Sequence, residues 1–170
     1  MIIAHRALLR GPDFIKENTI DSINECIRMN INIELDIRYI DGNWYLGHDH
    51  PQEIIDLDTF DFGFVHVFFH CKNIETLNRC CNTLFKEQFE GQIDFFYHDQ
   101  DSVTLTKNGL IWSYPKSKLF DWSICVMPEL VSKKYFEKTI NKYNDSKIYA
   151  ICTDYPLIVQ QNLNKKIIMS

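Results

Sequence analysis

Glu34 and Asp36 stand two apart in the otherwise apolar run 31–37, inside the stretch NIELDIRYIDGNWYLGHDH. In a strand, residues two apart share a face, so both carboxylates point one way while Ile33, Leu35 and Ile37 point the other. Two like charges held close together in an interior repel, and leaving them unpartnered is costly. A divalent cation between them removes that cost, and oxygen ligands favour magnesium, calcium or manganese. His5 and Arg6 end a short apolar run at 2–5, and His70 and Lys72 share one face at the end of another at 65–71. A turn at Asp41-Gly42 brings His48 and Asp49 back toward the same place. Two histidines flanking a cation suit acid–base chemistry at phosphorus, one removing a proton from the nucleophile and the other protonating the leaving oxygen. Arg6 and Lys72 can neutralise a phosphate. It is the combination that points to a phosphodiester.

Polar groups on consecutive strands meet only if those strands lie side by side with their ends on one rim. Short apolar runs alternate with longer amphipathic ones along the chain, the pattern of a parallel α/β domain. Candidate strands are 2–5, 31–37, 65–71, 92–98, 109–114, 122–127, 148–153 and 165–169. Eight strands suggest a closed TIM barrel, which places its chemistry at the C-terminal ends of its strands. Helices are expected in TIDSINECIRMN, capped by Asn18 or Thr19, in NIETLNRCCNTLFKEQ (73–88), capped by Asn73, in PELVSKKYFEKTINKY and in PLIVQQNL. The connections 99–109 and 115–121 are too short for crossover helices. A full barrel takes about 250 residues, so the expected fold is a compact, trimmed (β/α) barrel of about eight mostly parallel strands, with helices missing or shortened in its second half.

At 170 residues and 45% hydrophobic content, the chain suits one domain spanning 1–170. A net charge of −5 argues against a nucleic-acid partner or an anionic membrane surface, since both demand a basic face. No segment reaches the roughly 18 apolar residues of a membrane helix, and the start of the chain is broken by charge too early for a signal peptide, so a cytoplasmic location is expected. The six cysteines include no CxxC pair and read as reduced, mostly buried thiols. The aromatics at 68, 69 and 95–97 read as core. Trp44 and Tyr45 fit equally a substrate cover or packing, and His98 fits a structural hydrogen bond better than a place on the rim.

The blocks IAHRA, KENTIDSI, IELDIRYIDGNWYLGHD and CTDYP resemble those of the glycerophosphodiester phosphodiesterase family, whose barrels belong with the phosphatidylinositol-phospholipase-C-like phosphodiesterases. The family's blocks read HRG, ENT, ExD, DG followed by HD, ExK and, late in the chain, TDxP. The first four occur here in order over residues 2–49, and beyond residue 73 TDYP is the one recognisable block. The resemblance implies that His5 and His48 are the acid–base pair, that Glu34 and Asp36 bind one divalent metal ion, and that Arg6 and Lys72 contact the substrate phosphate. It places Glu17 beside the site, supporting Arg6 or the metal, and Asp49 or a water where either could complete the metal shell.

The implied reaction cleaves a small glycerophosphodiester, a reaction of lipid metabolism, to a phosphomonoester and an alcohol. The implied cofactor is magnesium or calcium. Two departures stand out. Ala7 replaces the glycine of HRG, where a small residue is needed. His70 replaces the third carboxylate ligand; imidazole can ligate, but the lost charge weakens calcium and favours manganese or zinc. Rival readings are a lyase-type phosphodiesterase that stops at a cyclic phosphate or acts on nucleotide- or polysaccharide-linked glycerol phosphate, and a non-catalytic barrel that binds a phosphate ligand.

Overall fold

The computed structural model describes residues 1–84 and 91–169. Ten strands form one curled sheet: β1 (Ile2–Ala4), β2 (Asn32–Ile40), β3 (Asn43–Leu46), β4 (Glu53–Ile55), β5 (Val67–Cys71), β6 (Ile93–Phe96), β7 (Val103–Leu105), β8 (Ile111–Ser113), β9 (Ser123–Val126) and β10 (Ala150–Thr153). Seven run parallel in the order β6-β5-β2-β1-β10-β9-β8. Antiparallel β3 and β4 extend from the upper end of β2, and antiparallel β7 lies against β8. The fold is therefore a trimmed, TIM-like α/β barrel.

Side-chain alternation explains the layers. Ile3, Phe68, Phe96, Trp112, Ile124, Val126 and Cys152 fill the inside. Ile33, Leu35 and Ile37 face outward against Ile23 and Cys26 of helix α1 (Ile20–Arg28). Cys125 and Ile151 do the same against Phe136 and Ile140 of α3 (Lys133–Asn144) and Val159 of α4 (Pro156–Met169). The remaining helix, α2 (Ile74–Arg79), continues into a wider turn at Cys80–Leu84; positions 85–88 of the expected helix lie outside the described residues. Side chains of Thr19, Asn73 and Ser132 accept from the backbone N–H three residues on, capping α1, α2 and α3. Trp44 packs in the outer core against the Tyr39 ring, at 4.8 Å. No helix among the described residues is long and apolar enough to cross a membrane.

The expected eighth strand is corrected. Residues 165–169 continue α4, which starts at Pro156 and meets no glycine or proline before Met169. Two lysines and three apolar residues carry too little period to separate strand from helix, and here an uninterrupted helix precedes them. With seven parallel strands, no ladder among the described residues joins β6 to β8. The seam is bridged instead by the β7 segment: Lys107 N–H donates to Phe95 O at 2.9 Å, and Thr104 Oγ1 to Tyr97 O at 3.1 Å. Inside, the Phe96 and Trp112 rings stack across the seam at 4.4 Å. The connections before and after β8 hold no helix, as their lengths required.

Candidate active site

Directly after β1 the backbone turns through the left-handed region at Arg6 (φ 50°) and Ala7 (φ 59°). A β-carbon is held there at some conformational cost that a glycine would not carry. The turn aims the Arg6 N–H at Glu34 Oε2, 2.9 Å away. The Arg6 side chain then spans two carboxylates: Nη1 donates to Glu17 Oε2 at 3.0 Å, and Nε lies 3.3 Å from Asp36 Oδ2.

Asp36 is clamped from three further sides. Asn18, fully buried, donates from Nδ2 to Asp36 Oδ2 at 3.0 Å and accepts the Asp36 N–H at 2.9 Å. Lys72 Nζ lies 3.4 Å from Asp36 Oδ1, and His70 Nδ1 lies 3.0 Å from the same oxygen. Asp36 Oδ1 has these two cationic or imidazole neighbours as its close polar contacts, and His70 Nε2 is buried without a hydrogen-bond partner. The β2–β5 register sets Asp36 directly opposite His70, which makes their meeting a consequence of strand pairing.

Burial pushes the Glu34 carboxyl up, and the neighbouring Asp36 charge adds to it. Burial acts the same way on Asp36, but His70, Lys72 and Arg6 outweigh it and hold Asp36 well below the usual carboxylate range. Burial lowers His70, against the pull of Asp36, and favours its neutral, ligating form. Burial also disfavours charge on His5, yet the hydrogen bond to Asp154 and the Glu34 and Asp154 charges raise its pKa overall.

His5 is held by a residue 149 positions away. Its Nδ1 lies 2.7 Å from Asp154 Oδ1, while Nε2 faces Glu34 Oε2 at 4.0 Å. Asp154 is itself fixed by its own N–H donating to Glu129 Oε1 at 2.9 Å. Such a carboxylate–imidazole pair selects the tautomer and leaves the opposite nitrogen for chemistry.

His48 and Asp49 stand apart on the rim. His48 Nδ1 lies 2.7 Å from Asp49 Oδ1, and Arg38 Nη2 donates to the backbone oxygens of both, at 2.7 and 3.3 Å. Asp49 is thus engaged with His48, and the His48 ring lies near enough to His70 for its charge to disfavour protonation there. His98 does two things: its Nε2 bonds the Tyr114 hydroxyl, and its ring stacks on His70 at 4.5 Å. His70 also packs on the Phe96 ring at 4.9 Å, and the Phe96 and His98 rings lie 6.2 Å apart, so the three form one aromatic cluster.

One donor atom from each of Glu34, Asp36 and His70 lies within 4.8 Å of the others, all three residues buried. These residues fit a divalent ion on two grounds. His70 Nε2, a potential ligand atom of the trio, is buried without a hydrogen-bond partner. Glu17, Glu34, Asp36 and Asp154 also outnumber the fixed cations Arg6 and Lys72 by two charges. Sequence reasoning assigned no role to Asp154 or Glu129 and weighed Asn18 as a helix cap alone. The ENT and TDYP blocks held the signal for Asn18 and Asp154; nothing in the sequence marked Glu129.

No protein-family model matches the chain, and no curated protein matches it in sequence. Solved structures do. A protein of Galdieria sulphuraria named as a glycerophosphodiester phosphodiesterase superposes with a TM-score of 0.57 at 15% identity, over 96% of this chain and 97% of that one. A glycerophosphodiester phosphodiesterase from Parabacteroides distasonis superposes with a TM-score of 0.54 at 13% identity, over 98% and 97%. The chain therefore has the fold of these enzymes over nearly its whole length.

Proposed function

We propose that this protein is a metal-dependent phosphodiesterase that cleaves a small glycerophosphodiester to a phosphomonoester and an alcohol, within the cytoplasm and in lipid metabolism. The observation that carries the reading is the buried Glu34–Asp36–His70 trio, from the lower half of β2 and the end of β5, lying beside the Asp154-held His5 that follows β1. Fold likeness to phosphodiesterases and free cysteines, five of the six buried, accord with it.

Glu34, Asp36 and His70 would hold the ion, which supplies positive charge to the phosphate oxygens as negative charge builds in the transition state. Arg6 and Lys72 bring two further cations to that phosphate, each already steadied by a carboxylate. His5, its tautomer set by Asp154, presents Nε2 for proton transfer. His48 serves as the second proton carrier from the hairpin side. One takes the proton of the attacking hydroxyl and the other returns a proton to the departing alcohol.

The test is phosphorus NMR of the purified protein with glycerophosphodiesters, lysophospholipids and nucleotide-linked glycerol phosphates, in magnesium, calcium, manganese, zinc or chelator. A monoester formed with metal and suppressed by chelator is the expected result. A cyclic phosphate that accumulates alone would select the lyase form. No turnover with any substrate and ion would leave a phosphate-binding barrel.

A further inference from the structure

Between α3 and α4, on the outside of the barrel, lies a cavity of about 780 Å³. Small-molecule sites occupy roughly 300–1,000 Å³. Phe136, Ile140 and Tyr155 give it an apolar floor, and Glu129, Glu137 and Lys133 give it two carboxylates against one ammonium. Two acceptors among its lining residues, Glu129 Oε2 and Asn144 Oδ1, are buried without any donor. The Phe136 and Tyr155 rings stand 6.5 Å apart, inclined at 49°. Excess negative charge, acceptors lacking donors and paired aromatic faces all favour a cation that carries N–H groups on an apolar body.

The cavity also touches what holds His5. The other oxygen of Glu129, Oε1, accepts from Thr153 Oγ1 at 2.7 Å and from Asp154 N–H at 2.9 Å. On the far side of Asp154, the Tyr155 ring packs so closely on Gly11 that a β-carbon there would lie 2.9 Å from it. Gly11 N–H in turn donates to Asp154 O at 2.8 Å. Two lining residues thus grip the backbone around Asp154, and Asp154 Oδ1 meets His5 Nδ1 at 2.7 Å.

We propose that the α3–α4 cavity binds a small organic ammonium compound with an apolar body, and that its occupancy is felt at His5 through Glu129 and Asp154. The effect on catalysis rests on the phosphodiesterase reading; the binding does not. Displacing the Glu129 carboxylate toward a ligand loosens the Asp154 N–H bond, and Asp154 carries that shift to the His5 ring.

Tryptamine is the probe, with indole-3-propionate as its charge-reversed counterpart, titrated into isotope-labelled full-length protein and followed by NMR. Tryptamine is expected to shift the Glu129 and Tyr155 amides saturably, and the His5 ring nitrogens with the same midpoint. Asn141→Trp, from the exposed side of α3, places an indole in the cavity's lining and should cut tryptamine affinity by about tenfold or more, with melting temperature unchanged. Ile158→Trp, from α4, does the same if the first variant misfolds. The proposal is overturned by any of four results: no saturable shift, equal binding of indole-3-propionate, binding undiminished in both tryptophan variants, or a His5 ring unmoved at saturation. The readout needs no turnover, so it stands or falls apart from the phosphodiesterase reading.

Discussion

Asp36 shows how a residue's neighbours decide whether a buried charge is a liability or a device. At 1% exposure it would be strongly destabilising alone, and Arg6, Asn18, His70 and Lys72 surround it. Period-two alternation made Glu34 and Asp36 legible as an inward pair. The clamp by Asn18 and the hold of Asp154 on His5 were not legible, because they join positions 18 and 149 residues apart and depend on which strands become neighbours. Asp154→Asn is the sharpest test at this scale. The amide preserves shape but can donate to Nδ1, inverting the His5 tautomer. Turnover should fall about 10²–10⁴-fold, with KM and melting temperature little changed, measured by phosphorus NMR kinetics and a thermal melt. Activity within about twofold of the parent would remove His5 from proton transfer.

Among elements, β2 does the most positioning. Its lower half pairs with β1 and β5 inside the barrel, and its upper half turns back through β3, carrying His48 toward the rim. That return depends on Gly47, which sits at φ 139° and donates its N–H to Asp36 O at 3.0 Å. A β-carbon at Gly47 would lie 2.2 Å from His50 O, so Gly47→Ala forces the turn open. The expected cost is about 1–3 kcal/mol of stability, read by denaturant unfolding, together with a loss of turnover because His48 is displaced. The DG turn announced this hairpin, and caps announced two helices, α1 and α2. The 165–169 segment shows the limit: its apolar residues fit strand and helix alike, and the unbroken run from Pro156 decided for helix. The short connections around β8 foretold missing helices, but not that β7 would bridge the seam left by an absent eighth strand.

At the scale of the whole molecule, the site's charges set how stability responds to pH and metal. Without an ion, burial and Asp36 raise the Glu34 carboxyl from 4.5 to about 7. A raised folded-state pKa stabilises the fold below the unfolded value, and that contribution is lost as pH rises through about 7, when Glu34 ionises beside Asp36. Asp36 has the opposite sign: its pKa is depressed below 3.8, so its contribution is lost at acid pH, outside the neutral range. A divalent ion needs Glu34 ionised and cancels the repulsion that ionisation creates. Its stabilisation must therefore grow with pH, where salt screening or surface binding would give no such slope. At manganese a hundredfold above its dissociation constant the gain is about 2.7 kcal/mol, or roughly 5–10 °C for a domain of this size. Thermal melts with manganese or chelator should show that gap at pH 8 and little of it at pH 5.5. In Glu34→Gln, which can neither ionise nor offer a second charge, the two curves should coincide throughout. A gap independent of pH, or one that persists in Glu34→Gln, would place the ion somewhere other than between β2 and β5.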